Sequence, residues 1–188
     1  MENIINWLKE NLSEERFLHT LGTAQTARTL AQQFGLDADK AEIAGLLHDC
    51  AKEYSKESML KIIKENNLDV SDDELKAPKV LHAPVSAYVA KTLFNITDTE
   101  ILDSIRFHTI GRIGMTDFDK IIYLADKIEP KTRTEACFEE LRKELKATNS
   151  LNKTLLLCSK MTIKSLLDRD LTINFQTIDL YNYLLNNQ

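Results

Sequence analysis

The 188 residues carry a formal charge of −5, from 24 Lys and Arg against 29 Asp and Glu, and 43% of the side chains are hydrophobic. A chain of this length and composition can bury one sizeable core, which excludes wholesale disorder. No apolar run approaches the roughly 20 residues that span a bilayer, and the acidic balance argues against a broad nucleic-acid-binding surface. We therefore expect one domain over 1–188, with neither a membrane nor a nucleic-acid polymer as its partner.

Periodic apolar residues predict helices along most of the chain, since few glycines or prolines interrupt the 3.6-residue pattern. Ser13 is the expected cap of a helix over 14–34 that Gly35 ends, and Asp37 is the expected cap of a helix from 38 to about 51. The other predicted helices, in chain order, run from Ser55 to about Asn66 and over 84–94, 99–109, 117–128, 135–147 and 151–168. The fold class expected from this pattern is all-α.

The C-terminal residues 169–181 break the helical pattern, because Leu171, Ile173 and Phe175 alternate with polar residues. A single strand would have no partner in an all-α domain. We therefore predict a structured arm that lies over the bundle. On this interpretation the core occupies about 13–130, and the C-terminal helices and arm occupy 131–188.

Cysteine usage indicates the compartment. Cys50, Cys137 and Cys158 are an odd number of widely spaced residues without a CxxC motif. A disulfide framework or a thiolate zinc site is not expected from this spacing, and a reducing cytoplasm is the predicted location.

Two aspartates end apolar helical runs. Asp49 follows His48 at the end of AEIAGLLHD, and Asp126 ends IIYLAD. A charged carboxylate at such a position is costly unless a cation pairs with it, so the two aspartates suggest a shared cation inside the bundle. Imidazole and carboxylate together suit iron, manganese, zinc or cobalt. For any one histidine taken alone, the alternative is a hydrogen-bonded, partly buried side chain.

The order His19, His48–Asp49, Asp126 resembles the H…HD…D signature of the HD-domain superfamily of metal-dependent phosphohydrolases. Five strings carry the resemblance further: RFLHTLGTAQTA (16–27), AGLLHDCAKEY (44–54), LHAPVSAYVA (81–90), ILDSIRFHTIGRIGMT (101–116) and KIIYLADKIEP (120–130). Together they are similar to the YqeK-type branch, the bacterial symmetrical diadenosine tetraphosphate hydrolases, over roughly 13–182.

The resemblance implies an HD-domain helical bundle with a metal site between core helices. The implied metal ligands, with iron as the favoured metal, are His19, His48, Asp49 and Asp126. The implied contacts to an ADP-like nucleotide are Arg16, His19, Asp49, His82, His108, Thr109, Asp126 and, bordering the base or ribose, Thr172, Ile173, Asn174, Phe175, Gln176 and Thr177. The family also has an arginine two residues after the proline of IEP, where this chain has Thr132, so either Arg133 or Lys131 takes that role.

The chemistry of these residue types suits phosphoanhydride hydrolysis. A divalent metal polarises a phosphoryl oxygen and lowers the pKa of bound water, and Asp49 can accept a proton or orient the attacking water. His82 and His108 are expected to contact phosphate or protonate the leaving group, with a second metal as the alternative. The predicted catalytic residues are therefore Asp49, His82 and His108.

The predicted reaction is the cleavage of diadenosine tetraphosphate into two ADP. The alternatives are another nucleotide phosphohydrolase or a phosphodiesterase of the HD type, or an HD fold that binds nucleotide without turnover. The oligomeric state stays open, with a homodimer as one option.

Overall fold

Helices account for all the regular structure of residues 1–187, which are the residues that the computed structural model describes, and no strand occurs in this range. The helices are α1 (Glu2–Asn11), α2 (Glu14–Gln33), α3 (Ala38–Leu47), α4 (Lys56–Glu65), α5 (Asp72–Lys76), α6 (His82–Leu93), α7 (Thr99–Phe107), α8 (Asp117–Ile128), α9 (Ala136–Thr148), α10 (Leu151–Leu167) and α11 (Phe175–Asn186). A 3₁₀ turn, Pro78–Val80, precedes α6. The all-α prediction is confirmed.

Local capping explains where several helices begin. The side chains of Ser13, Asp37 and Thr116 each accept a hydrogen bond from a backbone N–H in the first turn of α2, α3 and α8. These contacts satisfy donors that the helix itself leaves free. Gly35 follows α2 with φ +70°, the left-handed conformation that glycine adopts at little cost.

The helices around the centre of the fold have different ends from those predicted. α3 ends at Leu47, so that the residues up to Tyr54 form turns rather than a continued helix. α6 begins at His82, two residues before Pro84. The α5 helix and the 3₁₀ turn were not predicted, and they fill the connection between α4 and α6. The functional candidates His48 and His82 consequently lie at helix ends.

The predicted C-terminal arm is wrong from Phe175 onward. Residues Phe175–Asn186 form α11, whose N-cap, Asn174, accepts a hydrogen bond from the N–H of Gln176 at 2.9 Å. The apolar residues Leu180 and Leu184 are buried, at the four-residue spacing of a helix face. The two-residue alternation covers only the short irregular segment before α11, and packing against α10 stabilises the helix after it.

The core forms around α8. This helix packs against α2, α3, α7, α9 and α10, and its residues 121–126 are all buried.

None of the helices in residues 1–187 combines the length and apolar composition that crossing a bilayer requires.

The backbones of α2 and α3 approach each other closely in the core. A Cβ added to Gly45 on α3 would lie 2.6 Å from the Cα of Ala24 on α2. The absence of a side chain at this position therefore sets the distance between the helices that carry His19 and His48.

Replacement of Gly45 by alanine tests this close contact. Although alanine favours helix more than glycine does, we expect Gly45→Ala to lower the free energy of unfolding by about 1–3 kcal/mol, because the helices must move apart. Urea denaturation measures the change. Gly35→Ala is the control, since a Cβ there meets no atom within 4 Å and its cost, about 1 kcal/mol, comes from the backbone alone. A Gly45→Ala protein as stable as the wild type would contradict the role of this contact.

Candidate metal centre

Six polar side chains from five helical regions meet inside the bundle. His19 lies on α2, His48 and Asp49 follow α3, His82 begins α6, His108 follows α7, and Asp126 lies on α8. All six residues are buried, none exposing more than 4% of its surface. We call this group the buried cluster.

A shared local hydrogen bond orients three of the imidazoles. The Nδ1–H groups of His48, His82 and His108 donate to backbone carbonyls three residues earlier, at 2.7, 2.8 and 2.7 Å respectively. A carbonyl oxygen cannot donate, so each Nδ1 carries the proton. Each Nε2 of a neutral ring is therefore an unprotonated lone pair that faces the interior of the cluster.

The fourth imidazole is oriented by a carboxylate that the sequence prediction missed. His19 Nδ1 lies 3.1 Å from Glu129 Oε1 and 3.1 Å from the Thr132 hydroxyl. Glu129 is fully buried, and it also accepts the backbone N–H groups of Lys131 at 2.7 Å and Thr132 at 3.0 Å. These backbone hydrogen bonds fix the position of the carboxylate. The carboxylate in turn orients the ring of His19 so that its Nε2 points towards Asp126.

Within the buried cluster, imidazole nitrogens face carboxylate oxygens. His19 Nε2 lies 2.9 Å from Asp126 Oδ1, and His48 Nε2 lies 4.0 Å from the same oxygen and 3.6 Å from Asp49 Oδ2. Neither of these Nε2 atoms has a hydrogen-bond partner within the described chain. Lone pairs directed at carboxylates repel one another unless a cation lies between them, which is the arrangement that metal ligands have.

Two overlapping groups have the spacing that an ion requires. One consists of His19, His48 and Asp126, and the other of His48, Asp49 and His108; within each group the ligand atoms lie within 4.8 Å of one another. Nitrogen and carboxylate ligands fit a divalent transition metal better than calcium. The residues present therefore fit a divalent transition metal, the class of ion that the sequence predicted.

The pKa directions agree with this fit. Burial lowers the pKa of His48 to about 3 and that of His82 to about 4, which leaves both rings neutral. Burial acts to raise the pKa of Asp49 and Asp126, but the surrounding cationic and hydrogen-bonding groups outweigh it and hold both pKa values well below the ordinary range. Neutral imidazole and ionised carboxylate are the forms that bind metal.

Each of the two aspartates is paired with two cationic side chains. Arg16 Nη1 lies 2.9 Å from Asp49 Oδ2, and Lys52 Nζ lies 3.6 Å from Asp49 Oδ1. Lys127 Nζ and Arg133 Nη2 lie 2.7 and 2.8 Å from the two oxygens of Asp126. The four cationic side chains are 24–32% exposed, so they connect the buried cluster with solvent.

The two candidates for the arginine position after IEP lie in different surroundings. Arg133 reaches Asp126 with its side chain, whereas Lys131 is exposed and contributes its backbone N–H to Glu129. Lys52 and Lys127 were not predicted. Lys52 follows Asp49 by three residues, and Lys127 follows Asp126 directly. Their closeness in sequence to a predicted ligand was not a sufficient signal, because lysines at such positions are also common on exposed surfaces.

The predicted C-terminal nucleotide contacts are only partly brought together. A cavity of about 300 Å³, which we call the Thr109 cavity, is lined by Thr109, Thr172, Asn174 and Thr177 among others. Ile173, Phe175 and Gln176 are not part of its lining, and Phe175 is 69% exposed. Lys79, whose carbonyl accepts the Nδ1–H of His82, also lines this cavity, which therefore adjoins the buried cluster.

Comparisons with known proteins agree with this geometry. The family model of the HD domain matches residues 16–131. A Bacillus subtilis protein named symmetrical bis(5′-nucleosyl)-tetraphosphatase is 39% identical over 185 residues, covering 98% of this chain and 97% of its own length. A Staphylococcus aureus protein of the same name is 38% identical over 176 residues, covering 93% and 89%.

A solved structure is also similar over the whole chain. It is the crystal structure of a Clostridium acetobutylicum protein described as a predicted HD superfamily hydrolase involved in NAD metabolism. The TM-score is 0.94 at 38% sequence identity, and the match covers 100% of this chain and 97% of the other. The arrangement of helices around the buried cluster is therefore shared with a protein whose structure was determined by experiment.

The role of Glu129 is tested by removing its carboxylate. Glu129→Ala leaves His19 Nδ1 and two backbone N–H groups without their acceptor, so we expect the free energy of unfolding to fall by about 1–3 kcal/mol. Urea denaturation in the presence of a chelator measures this without any contribution from metal. The matched control is Glu139→Ala, which removes an exposed glutamate paired with Arg142 and should cost less than about 1 kcal/mol. Equal losses in the two variants would show that Glu129 does not hold the cluster in place.

Proposed function

The chain belongs to the HD-domain family, and we propose that it is a metal-dependent phosphoanhydride hydrolase that splits diadenosine tetraphosphate symmetrically into two ADP. The observation that carries this proposal is the buried cluster of imidazole lone pairs and carboxylates, surrounded by four partly exposed cationic side chains. The names of the Bacillus subtilis and Staphylococcus aureus relatives support the choice of substrate.

We propose that His19, His48, Asp49 and Asp126 hold one divalent transition metal. Iron is the favoured ion, and manganese, cobalt or zinc also match a set of imidazole and carboxylate ligands. When bound, such an ion polarises a phosphoryl oxygen and lowers the pKa of a bound water. Asp49 Oδ1, which lies 2.9 Å from His82 Nε2, is the proposed acceptor of the proton from the attacking water.

The tetraphosphate is the proposed ligand of the four cationic side chains. Arg16 and Lys52 stand beside Asp49, and Lys127 and Arg133 stand beside Asp126. Guanidinium groups bind phosphate through paired hydrogen bonds, and lysine binds it as a point charge. Four cations near three carboxylates, those of Asp49, Asp126 and Glu129, give this region a positive charge even before a metal is added. An anionic substrate is thus attracted to the cluster although the whole chain is acidic.

His82 and His108 are proposed to act on the phosphates or on the leaving group. Their Nε2 atoms lie 3.2 Å apart, and Lys52 Nζ lies 2.9 Å from His82 Nε2. A neutral ring accepts at Nε2, so donation to phosphate requires the protonated ring, which nearby negative charge favours. Lys52 stands where it can supply that proton or donate directly to phosphate in place of the imidazole.

The Thr109 cavity is the proposed site of one nucleoside. Its hydroxyl and amide side chains, those of Thr109, Thr172, Asn174 and Thr177 among them, suit the hydroxyl groups of ribose and the edge of a base. The remaining residues of the 172–177 segment would border the nucleotide rather than line the cavity.

A reducing cytoplasm is the proposed compartment, in agreement with the three free thiols of Cys50, Cys137 and Cys158.

Product analysis tests the proposed reaction. Purified protein incubated with diadenosine tetraphosphate and Fe²⁺ or Mn²⁺ should give ADP as the sole nucleotide product, because the cationic pairs lie beside both ligand carboxylates. Nucleotide chromatography separates the outcomes. AMP together with ATP would mean asymmetric cleavage and would contradict the proposal, whereas binding without turnover would favour a nucleotide sensor.

Metal content tests the division of roles among the histidines. We expect about one metal per chain in the wild type, loss of that metal in His19→Ala, and its retention in His82→Ala and His108→Ala. The last two variants should lose about 10²–10³-fold in kcat, the effect of removing one positioned acid or charge-stabilising donor. Elemental analysis gives the count, with the exposed Asp168→Ala as the control. Two metals falling to one in His108→Ala would instead place this imidazole among the metal ligands.

A further inference from the structure

A second cavity borders the buried cluster on the side of Asp126. It has a volume of about 310 Å³ and is formed between α8, α9 and α10, with Lys127, Arg133, Cys137, Phe138, Met161 and Arg169 in its lining. Lys127 and Arg133 are the two cationic side chains that contact the carboxylate of Asp126, at 2.7 and 2.8 Å. We call this space the Phe138 cavity.

The Phe138 cavity and the Thr109 cavity are similar in size and are adjacent. Their volumes are about 310 and 300 Å³, and Thr162 on α10 lines both. The carbonyl of Lys79, in the lining of the Thr109 cavity, accepts the Nδ1–H of His82, whose Nε2 lies 2.9 Å from Asp49 Oδ1. Lys127 and Arg133 in the lining of the Phe138 cavity contact Asp126. Each cavity is therefore connected to a different ligand carboxylate of the same buried cluster.

The substrate of the proposed function has matching symmetry. In diadenosine tetraphosphate each nucleoside is separated from the central bridging oxygen by two phosphates. A substrate whose central bridging oxygen lies at one centre therefore places its two identical nucleosides at two positions, one on each side of that centre and over equal lengths of phosphate. The Thr109 cavity supplies only one of these positions.

The lining of the Phe138 cavity has the chemistry that a nucleoside requires. The ring of Phe138 and the thioether of Met161 offer apolar, polarisable surfaces for a base. The guanidinium carbon of Arg133 lies 5.4 Å from the centre of the Phe138 ring, so one side chain joins the phosphate-binding region to the aromatic wall. Arg169 donates its Nε–H to the carbonyl of Ser165 at 2.9 Å and has no carboxylate partner within residues 1–187, which leaves its other N–H groups for ribose or phosphate.

The other large cavities do not reach the ligand carboxylates. A groove of about 630 Å³ is lined by Tyr88, Lys91, Arg106 and Arg112 among others, and a cavity of about 310 Å³ is lined by Lys153, Lys160 and Tyr181 among others. Within residues 1–187, no lining residue of either space is hydrogen-bonded or ion-paired to a side chain of the buried cluster. The Phe138 cavity alone among these three combines a sufficient volume with direct contact to the cluster.

We propose that the Phe138 cavity binds the second nucleoside of the dinucleoside tetraphosphate, while the Thr109 cavity binds the first. This inference rests on the proposed function and adds a site to it. The tetraphosphate then runs past Asp49 and Asp126 between the two pairs of cationic side chains, and the central bridging oxygen lies at the buried cluster. Each product ADP retains one of the two nucleoside positions.

Two variants of opposite design test this site. Phe138→Ala removes the aromatic wall, and Ser165→Phe fills the cavity from an exposed position in its lining. Both should raise the KM for diadenosine tetraphosphate by about tenfold or more, the effect expected from losing one base–aromatic contact. Inhibition by ADP should change by less than about twofold, because one ADP still binds through the Thr109 cavity.

The control is Lys160→Phe, which places the same aromatic side chain in the separate cavity on α10 and should leave both constants unchanged. A wild-type KM in both cavity variants would overturn the inference, and so would an equal loss of ADP inhibition and of substrate affinity. A wild-type protein that yields no ADP from diadenosine tetraphosphate fails the proposed function itself. That outcome is visible before any variant is made, so the two failures are distinguishable.

Discussion

The arrangement at the centre of this protein depends on ionised carboxylates that are buried against unprotonated imidazole nitrogens. Asp126 lies 2.9 Å from a nitrogen of His19, and both side chains are buried away from bulk water. Removing a carboxylate from water costs several kcal/mol unless nearby cations compensate for the loss. The structure provides two cationic side chains for each aspartate, and the lone pairs that still face one another leave a position suited to a metal ion.

Helix ends determine the geometry of this centre. Three of its four imidazoles stand at or beside the terminus of a helix, where the carbonyl three residues earlier receives their Nδ1–H. Such a bond fixes both the tautomer and the direction of the ring, as the hydrogen-bonding partners of metal ligands commonly do. The contact of Gly45 with Ala24 brings the rings of His48 and His19 together, so the packing of the helices also positions the ligands.

Much of this could be predicted from local sequence signals. Ser13 and Asp37 cap helices because their side chains accept hydrogen bonds from nearby N–H groups, which requires no knowledge of the rest of the fold. The ligand candidates stood out because a histidine and two aspartates occupy the ends of apolar helical runs. α11 was missed because it is stabilised by packing on α10, while the preceding residues alternate as a strand would.

The unpredicted residues of the site share one property. Glu129, Lys52 and Lys127 are charged side chains of types that are mostly found on exposed surfaces, and only the three-dimensional fold turns them towards the buried cluster. Their combined effect is electrostatic: a chain with a net charge of −5 has a locally positive centre. The positive charge of the centre attracts an anionic substrate although the chain as a whole is negatively charged.

Anomalous diffraction from crystals grown with Zn²⁺ or Mn²⁺ tests the central claim most directly. We expect an anomalous peak within bonding distance of the Nε2 atoms of His19 and His48 and of a carboxylate oxygen of Asp126. A peak found only at exposed acidic side chains, with none between these three residues, would contradict a metal centre in the buried cluster.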